Sequence, residues 1–190
     1  MPNVYVIAGC NGAGKTTASY TILPEILNCR EFVNADEIAR GLSPFQPETV
    51  AFEAGRIMLN RIRELMAQQV DFAFETTLST RSYAALVKKA QEQGYHVILI
   101  FFWLNSIELA QERVKHRVSK GGHHIPELVI ERRYNRGLRN FFDLYQKLVD
   151  TWVLYDNSEE KPVLIASNIS GMDISIFNHD LWARISATTT

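Results

Sequence analysis

Cysteine is scarce in this sequence: two residues, Cys10 and Cys29, in a chain of 190. Two cannot build a disulfide framework or a four-thiolate zinc cluster, so the fold must rest on a hydrophobic core, and a reducing, cytoplasmic setting is expected. Long apolar runs are missing as well. The longest, Val97 to Leu104, is eight residues, against about 20 for a membrane span. The N-terminus passes from Met1-Pro2-Asn3 straight into an apolar segment, without the basic region and small-residue cleavage site of a secretory signal. No repeat, low-complexity segment or long linker interrupts the chain. What is present is ordinary globular material, 46% hydrophobic and 22% charged, a composition that argues against disorder. The length fits a single domain over residues 1–190.

The net charge is −1, which gives no basis for bulk nucleic-acid binding. The balance is uneven along the chain. Residues 113–139 hold eight basic residues (Arg113, Lys115, Arg117, Lys120, Arg132, Arg133, Arg136 and Arg139) against Glu127 and Glu131, a local charge of +6 that leaves −7 on the rest. Such a cluster is either a solvated helix face or the counterpart of a specific anionic ligand.

Hydrophobic patterning predicts strands over 3–8, 31–34, 71–74, 96–104 and 151–155, each bounded by turn residues. Helical spacing predicts helices over 16–27, 47–69, 79–93, 106–117 and 126 to about 149. On the 47–69 helix Phe52, Ile57, Met58, Ile62, Leu65 and Met66 recur near that spacing, and on the 79–93 helix Tyr83, Leu86, Val87 and Ala90 share a face. An edge strand over 162–166 and a last helix over 173–185 complete the reading. Strands apolar on both faces and alternating with helices predict an α/β protein, with a mostly parallel five-stranded sheet flanked by helices. In such sheets ligands gather at the carboxyl ends of the strands. The glycine-rich turn, Asp36, Glu75 and Asp156-Asn157 all follow predicted strands.

The stretch Gly9-Cys10-Asn11-Gly12-Ala13-Gly14-Lys15-Thr16 matches G-x-x-x-x-G-K-[ST], the phosphate-binding loop. Its glycines let the backbone curl so that N–H groups face phosphate oxygens. The helix that follows adds a partial positive charge at its N-terminus. In such loops the lysine, here Lys15, reaches the β- and γ-phosphates, and the hydroxyl of the next residue, Thr16, ligates Mg²⁺. Eight residues can match by chance; the strand before and the helix after supply the confirming context. The expected nucleotide contacts are Gly9, Asn11, Gly12, Ala13, Gly14, Lys15, Thr16 and Thr17. Cys10 reads as a small filler at a variable position.

Asp36 follows Phe32-Val33-Asn34 at the same sheet edge. A carboxylate there can take the proton of an acceptor hydroxyl in phosphoryl transfer; the alternative is a helix cap ahead of Glu37-Ile38-Ala39-Arg40. Glu75 is a candidate ligand for Mg²⁺ or contact for substrate, or else a surface acid at a strand end. With a phosphate loop in the chain, the basic segment reads as a helical lid over about 113–139. Arg113 and Arg117 share one helix face, Arg132, Arg136 and Arg139 another, and Arg133 a third. Gly121-Gly122 form the hinge, and closure would bring guanidinium groups onto phosphates while excluding water. His123 and His124 are adjacent, poorly placed to share a zinc ion, and read as lid or substrate contacts. Asp156-Asn157 either borders the adenine pocket or is an ordinary turn.

Five segments together carry a resemblance: GCNGAGKTT (9–17), FVNADEIARGL (32–42), FETT (74–77), RVSKGGHHIP (117–126) and RRYNRGLRNF (132–141). The combination resembles the zeta toxin family of P-loop kinases, more narrowly its short, free-standing members, over about residues 3–158. The resemblance implies a P-loop kinase fold of the nucleoside- and shikimate-kinase type, with ATP and Mg²⁺ as cofactors. It also implies transfer of the γ-phosphate to a hydroxyl, which in the true toxins belongs to UDP-N-acetylglucosamine. Carried onto matching positions, the phosphate-loop lysine is Lys15, the catalytic base Asp36 and the strand-three acid Glu75; the lid arginines are Arg117 and Arg133, with Arg113 as a neighbour. The chain is shorter than the toxins and its spacing around Gly121 differs, so the likeness transfers the phosphate donor and leaves the acceptor as a small-molecule hydroxyl. An antitoxin belongs to the toxins' setting, but no residue here points to one.

Two other classes compete. A nucleotide-dependent switch or transport ATPase would use an apolar strand ending in Asp-Glu; here the strongest strand runs into Asn105, and no Leu-Ser-Gly-Gly-Gln segment occurs. A polynucleotide 5′-hydroxyl kinase would need a basic track, which the acidic remainder of the chain does not offer. A small-molecule kinase is the leading expectation.

Overall fold

The apolar run after Pro2 forms β1 (Asn3–Ala8), an interior strand of a seven-stranded sheet in a computed structural model that describes residues 1–169 and 171–187. The other strands are β2 (Phe32–Val33), β3 (Phe72–Thr76), β4 (His96–Trp103), β5 (Thr151–Asp156), β6 (Val163–Ile169) and β7 (Ser175–Ile176). Their order is β2-β3-β1-β4-β5-β6-β7; the first five are parallel, and β6 and β7 are antiparallel. The helices are α1 (Lys15–Thr21), α2 (Ala35–Leu42), α3 (Ala51–Gln68), α4 (Tyr83–Glu92), α5 (Ile107–Ser119), α6 (Glu127–Asn140), α7 (Gln146–Leu148) and α8 (His179–Ala187).

Both faces of the sheet are buried, which is why its strands read as unbroken apolar runs. Val4, Val6 and Ala8 of β1 face one core with Val97, Leu99, Phe101 and Trp103 of β4, against α3, α4 and the end of α6. Tyr5 and Ile7 face a second core with Ile100, Phe102 and Leu104, against α1 and α5. The chain builds out from β1 on one side through β3 and β2, and on the other through β4 and β5. That order opens a crevice at the carboxyl end of β1, where the glycine loop begins.

The five parallel strands match expectation; the C-terminal part does not. The strand expected over 162–166 as an edge is β6, an inner strand paired with both β5 and β7. The segment expected to open a helix at Asp173 instead turns back through Gly171 (φ 84°) and Met172 N–H to Ile169 O (3.0 Å) to add β7. Helix α8 starts later because Asn178 caps it, its Oδ1 accepting from Leu181 N–H at 3.1 Å. Trp182 of α8 then stacks on Trp152 of β5, with centroids 5.8 Å apart and planes 7° from parallel.

Helix α3 also corrects the expected core. Ala54, Met58, Ile62, Leu65 and Met66 are buried, whereas Phe52 is 90% exposed and Ile57 lies at the margin. At about 100° per residue Phe52 points roughly 200° away from Ala54. The first helix is shorter than expected; it leaves α-geometry at Ile22 and finishes in a wider turn, with Leu27 N–H bonded to Ile22 O (3.0 Å). No helix among the described residues is long and apolar enough to cross a membrane.

Candidate active site

The glycine loop leaves β1 and curls into α1. Gly12 (φ 84°) and Gly14 (φ 80°) adopt left-handed backbone that favours glycine. A Cβ on Gly12 would also stand 2.6 Å from the Ala110 carbonyl oxygen. Ala13 N–H turns inward to Cys10 O (3.2 Å). The N–H groups of Asn11, Gly12 and Gly14 have no acceptor among the described residues. Unsatisfied amides ahead of a helix N-terminus form an anion-binding nest. Buried Cys10 sits beneath them; burial pushes its thiol up to about 11 against the opposing pull of Lys15.

Lys15 is buried, its Nζ donating to Cys10 O at 2.9 Å and lying 3.4 Å from Glu75 Oε1. Thr16 Oγ1 donates to Glu75 Oε2 at 2.7 Å. The parallel register of β1 and β3, with Ile7 beside Glu75, brings this carboxylate to the loop. Glu75 is thus no stray surface acid; its two oxygens meet the loop lysine and threonine.

Asp36 lies in the first turn of α2, and the helix cap is Asn34, whose Oδ1 accepts from Asp36 N–H (2.8 Å) and Glu37 N–H (3.4 Å). The capping alternative for Asp36 is therefore overturned; among the described residues its carboxylate accepts no hydrogen bond, and it lines the cleft at the phosphate loop. That cleft, about 440 Å³, is lined by Asn11, Gly12, Gly14, Lys15, Thr16 and Thr17 from the loop side. Asp36, Glu75, Arg113, Arg117 and His123 line it too. Gly9 and Ala13 do not, since both lie in the floor of the loop. A second hollow of about 260 Å³ adjoins it through Asn11, Lys15, Asp36 and Glu75, and is walled by Thr76, Thr77, Thr80, Tyr83 and Arg133.

The basic segment divides. Arg132, Arg136 and Arg139 are exposed, as a solvated face would be. Arg133 turns inward and donates to Asn11 Oδ1 at 2.9 Å; burial lowers its proton affinity and the nearby Asp36 charge partly offsets that. Arg117 donates to His123 O (3.2 Å), which folds the Gly121-Gly122 hinge back on α5, while its buried Nε has no acceptor among the described residues. Arg113 is braced against the backbone, donating to Asn157 O and Ser158 O, both at 2.7 Å. Burial holds His123 below the usual imidazole range, opposed by Asp36 and aided by Arg117 and Arg40.

A sequence profile of the zeta toxin family matches residues 1–170. The chain belongs to the zeta toxin family. An uncharacterized protein of Haemophilus influenzae is 32% identical over 126 residues, 66% of this chain and 88% of that one. A chain of the AvrRxo1-ORF1:AvrRxo1-ORF2 complex, crystallised with sulphate ions, superposes with a TM-score of 0.82 at 18% identity, covering 100% of this chain and 65% of its own. The same complex with ATP gives 0.80. The PezAT chromosomal toxin–antitoxin system of Streptococcus pneumoniae gives 0.66 at 15% identity, covering 99% of this chain and 86% of that chain. The chain spans about 65% of the length of the AvrRxo1 chains it matches. At these identities the likeness establishes the fold, that of a P-loop kinase, as the motif and strand order also do.

Within this zeta toxin fold, sequence reasoning gave no role to Ser158 or Asn34 and did not foresee what Asn157 does. Asn157 Nδ2 donates to Ala13 O at 2.7 Å and so pins the glycine loop to the end of β5. Ser158 Oγ accepts from Asn105 N–H at 2.8 Å and donates to the Asp156 carboxylate. Asp156-Asn157 is therefore a structural clasp and lines neither hollow. Asn34 donates from Nδ2 to Glu75 Oε2 at 2.9 Å. Only Asn34 carried a local signal: an Asn followed three residues later by Glu37 at a helix start has the spacing of a capping box.

Proposed function

We propose that this zeta toxin family member transfers the γ-phosphate of ATP to a hydroxyl of a small molecule. One observation carries the reading. Asp36 lines both the cleft at the phosphate loop and the adjoining hollow of about 260 Å³, so a carboxylate stands between an anion nest and separate room for an acceptor. The similarity to the ATP-containing AvrRxo1 complex supports ATP as donor.

In the proposed reaction the loop amides and Lys15 hold the β- and γ-phosphates. Asp36 takes the acceptor's hydroxyl proton while the acceptor oxygen bonds to the γ-phosphorus. The bond from that phosphorus to the β,γ-bridging oxygen breaks, and ADP leaves. Thr16 and Glu75 are hard oxygen donors 2.7 Å apart, the type Mg²⁺ takes, and would hold it. Bound there, Mg²⁺ would supply positive charge that offsets the charge of the nucleotide phosphates. Arg117 and Arg133 serve as lid arginines over about 113–139, neutralising the transferring phosphate. Arg113 holds the lid's base. A UDP-amino sugar is the first acceptor to test, and an antitoxin, by analogy with PezAT, the first protein partner. The buried free thiols of Cys10 and Cys29 suit the cytoplasm.

The test is incubation with γ-labelled ATP, Mg²⁺ and a metabolite extract, with mass identification of the labelled product. Asp36→Asn is expected to keep ATP binding and lose transfer by about 10²- to 10⁴-fold. Full transfer by Asp36→Asn would overturn the role of the base. ATP hydrolysis stimulated by a protein, with no phosphorylated metabolite, would replace the kinase with a switch.

A further inference from the structure

Asn34 is 6% exposed and uses both ends of its side-chain amide. Oδ1 accepts from two backbone N–H groups at the start of α2, at 2.8 and 3.4 Å. Only an oxygen can accept there, so the orientation of the amide is fixed and Nδ2 must face the other way. Nδ2 donates to Glu75 Oε2 at 2.9 Å and lies 3.5 Å from Thr16 Oγ1. One planar group thus spans from the helix that carries Asp36 to the pair of oxygens beside the phosphate loop.

Helix α2 packs on α3 and follows β2, an edge strand of two residues that pairs with β3; among the described residues Asn34 is the side chain whose hydrogen bonds join the start of α2 to Glu75. Glu75 Oε2 takes two donors, Thr16 and Asn34, of which Asn34 is the one not expected to turn toward a cation. We propose that Asn34 is a positioning residue: it orients the Glu75 carboxylate for Mg²⁺ and holds the Asp36 helix at a fixed distance from the phosphate loop. The assignment rests on the kinase reading for the role of Asp36, and on the chain's own contacts for the link. Partners that orient a metal-binding carboxylate are worth about 10- to 100-fold in affinity or activity.

Asn34→Ser separates the two ends. Serine keeps an oxygen that caps the helix and loses the donor to Glu75. Calorimetry with a non-hydrolysable ATP analogue, with and without Mg²⁺, is the primary measurement. The wild type is expected to bind more tightly with Mg²⁺. Asn34→Ser is expected to lose about 10- to 100-fold of that gain, with metal-free affinity unchanged and a melting temperature lowered by a few degrees through the lost bond to Glu75. Asn34→Ala, which loses the cap as well, is expected to melt lower still. At saturating Mg²⁺ and ATP, labelled transfer by Asn34→Ser is expected to fall about 10-fold or more. A wild type without Mg²⁺ gain, an Asn34→Ser variant that keeps it, or equal losses with and without Mg²⁺ would overturn the proposal. If the wild type shows the Mg²⁺ gain and Asn34→Ser loses it, yet no metabolite is phosphorylated, the kinase reading fails while the link from Asn34 to Glu75 stands.

Discussion

Replacing Lys15 with methionine keeps most of its apolar stem and removes its charge. In the folded chain Lys15 and Glu75 are 5% and 10% exposed, with Nζ 3.4 Å from Oε1. Deleting one partner of a buried pair costs about 3–5 kcal/mol, because the other charge is stranded. Glu75 keeps its bonds from Thr16 and Asn34, so the lower end, about 3 kcal/mol, is expected. At roughly 2–4 °C per kcal/mol for a chain of this length, Lys15→Met should melt about 6–12 °C lower without nucleotide. The cost should be largely reversible: adding Glu75→Gln removes the stranded charge, so the double variant should melt above the single one. A cost from lost packing would not recover in this way. Nucleotide affinity should fall independently, by about 10- to 100-fold, as one charge-assisted hydrogen bond of about 1.5–3 kcal/mol is lost. Thermal melts of both variants, and calorimetry with ATP on Lys15→Met, read these outcomes. A single variant melting within about 2 °C of wild type, or a double variant no more stable than the single one, would refute the buried pair. Unchanged ATP affinity would refute the phosphate cradle.

Gly12→Ala should abolish nucleotide binding and destabilise the chain, because its backbone φ is 84° and the new Cβ would sit 2.6 Å from Ala110 O; wild-type ATP affinity in this variant would contradict the loop geometry. Burial raises the thiols of Cys10 and Cys29 from 9.0 to about 11. Below the unfolded value both states hold the protons, and as pH rises from about 9 toward 11 the unfolded state releases them first. Melting temperature should therefore decline over that window, and Cys10→Ala should flatten the decline. From thiolate fraction alone, iodoacetamide at pH 8 should alkylate Cys10 about 100-fold more slowly than an ordinary exposed thiol; a rate equal to that of free cysteine would show that the loop opens.

Much of the parallel half of the fold was legible because its signals are local. A strand buried on both faces needs apolar side chains throughout, and β1 after Asn3 and β4 after His96 have them. The C-terminal hairpin was not legible. Ile174 and Ile176, two residues apart, carry a strand's alternation, but a run this short directly ahead of a helix start does not by itself separate strand from helix, and pairing with β6 decided the matter. Phe52 misled for a related reason. An apolar residue at helical spacing is buried only if the neighbouring layer reaches it, and α3 turns Phe52 to solvent.

The site shows the same division. The conformation that grips phosphate is built from eight consecutive residues, 9–16, whose glycines carry their backbone requirement in their own identity. That much the residue order alone could determine, together with the carboxylates at strand ends that make Asp36 and Glu75 candidates. What needed the tertiary structure was which distant groups meet there. Glu75 reaches Thr16 from 59 positions away, Arg133 reaches Asn11 from 122 and Asn157 reaches Ala13 from 144. No local propensity encodes such partners, because they are set by the register of parallel strands and by how two layers of helices settle on the sheet. The same packing separated Arg133 from its exposed neighbours Arg132, Arg136 and Arg139, residues that share its charge and its helix and differ only in the direction they face.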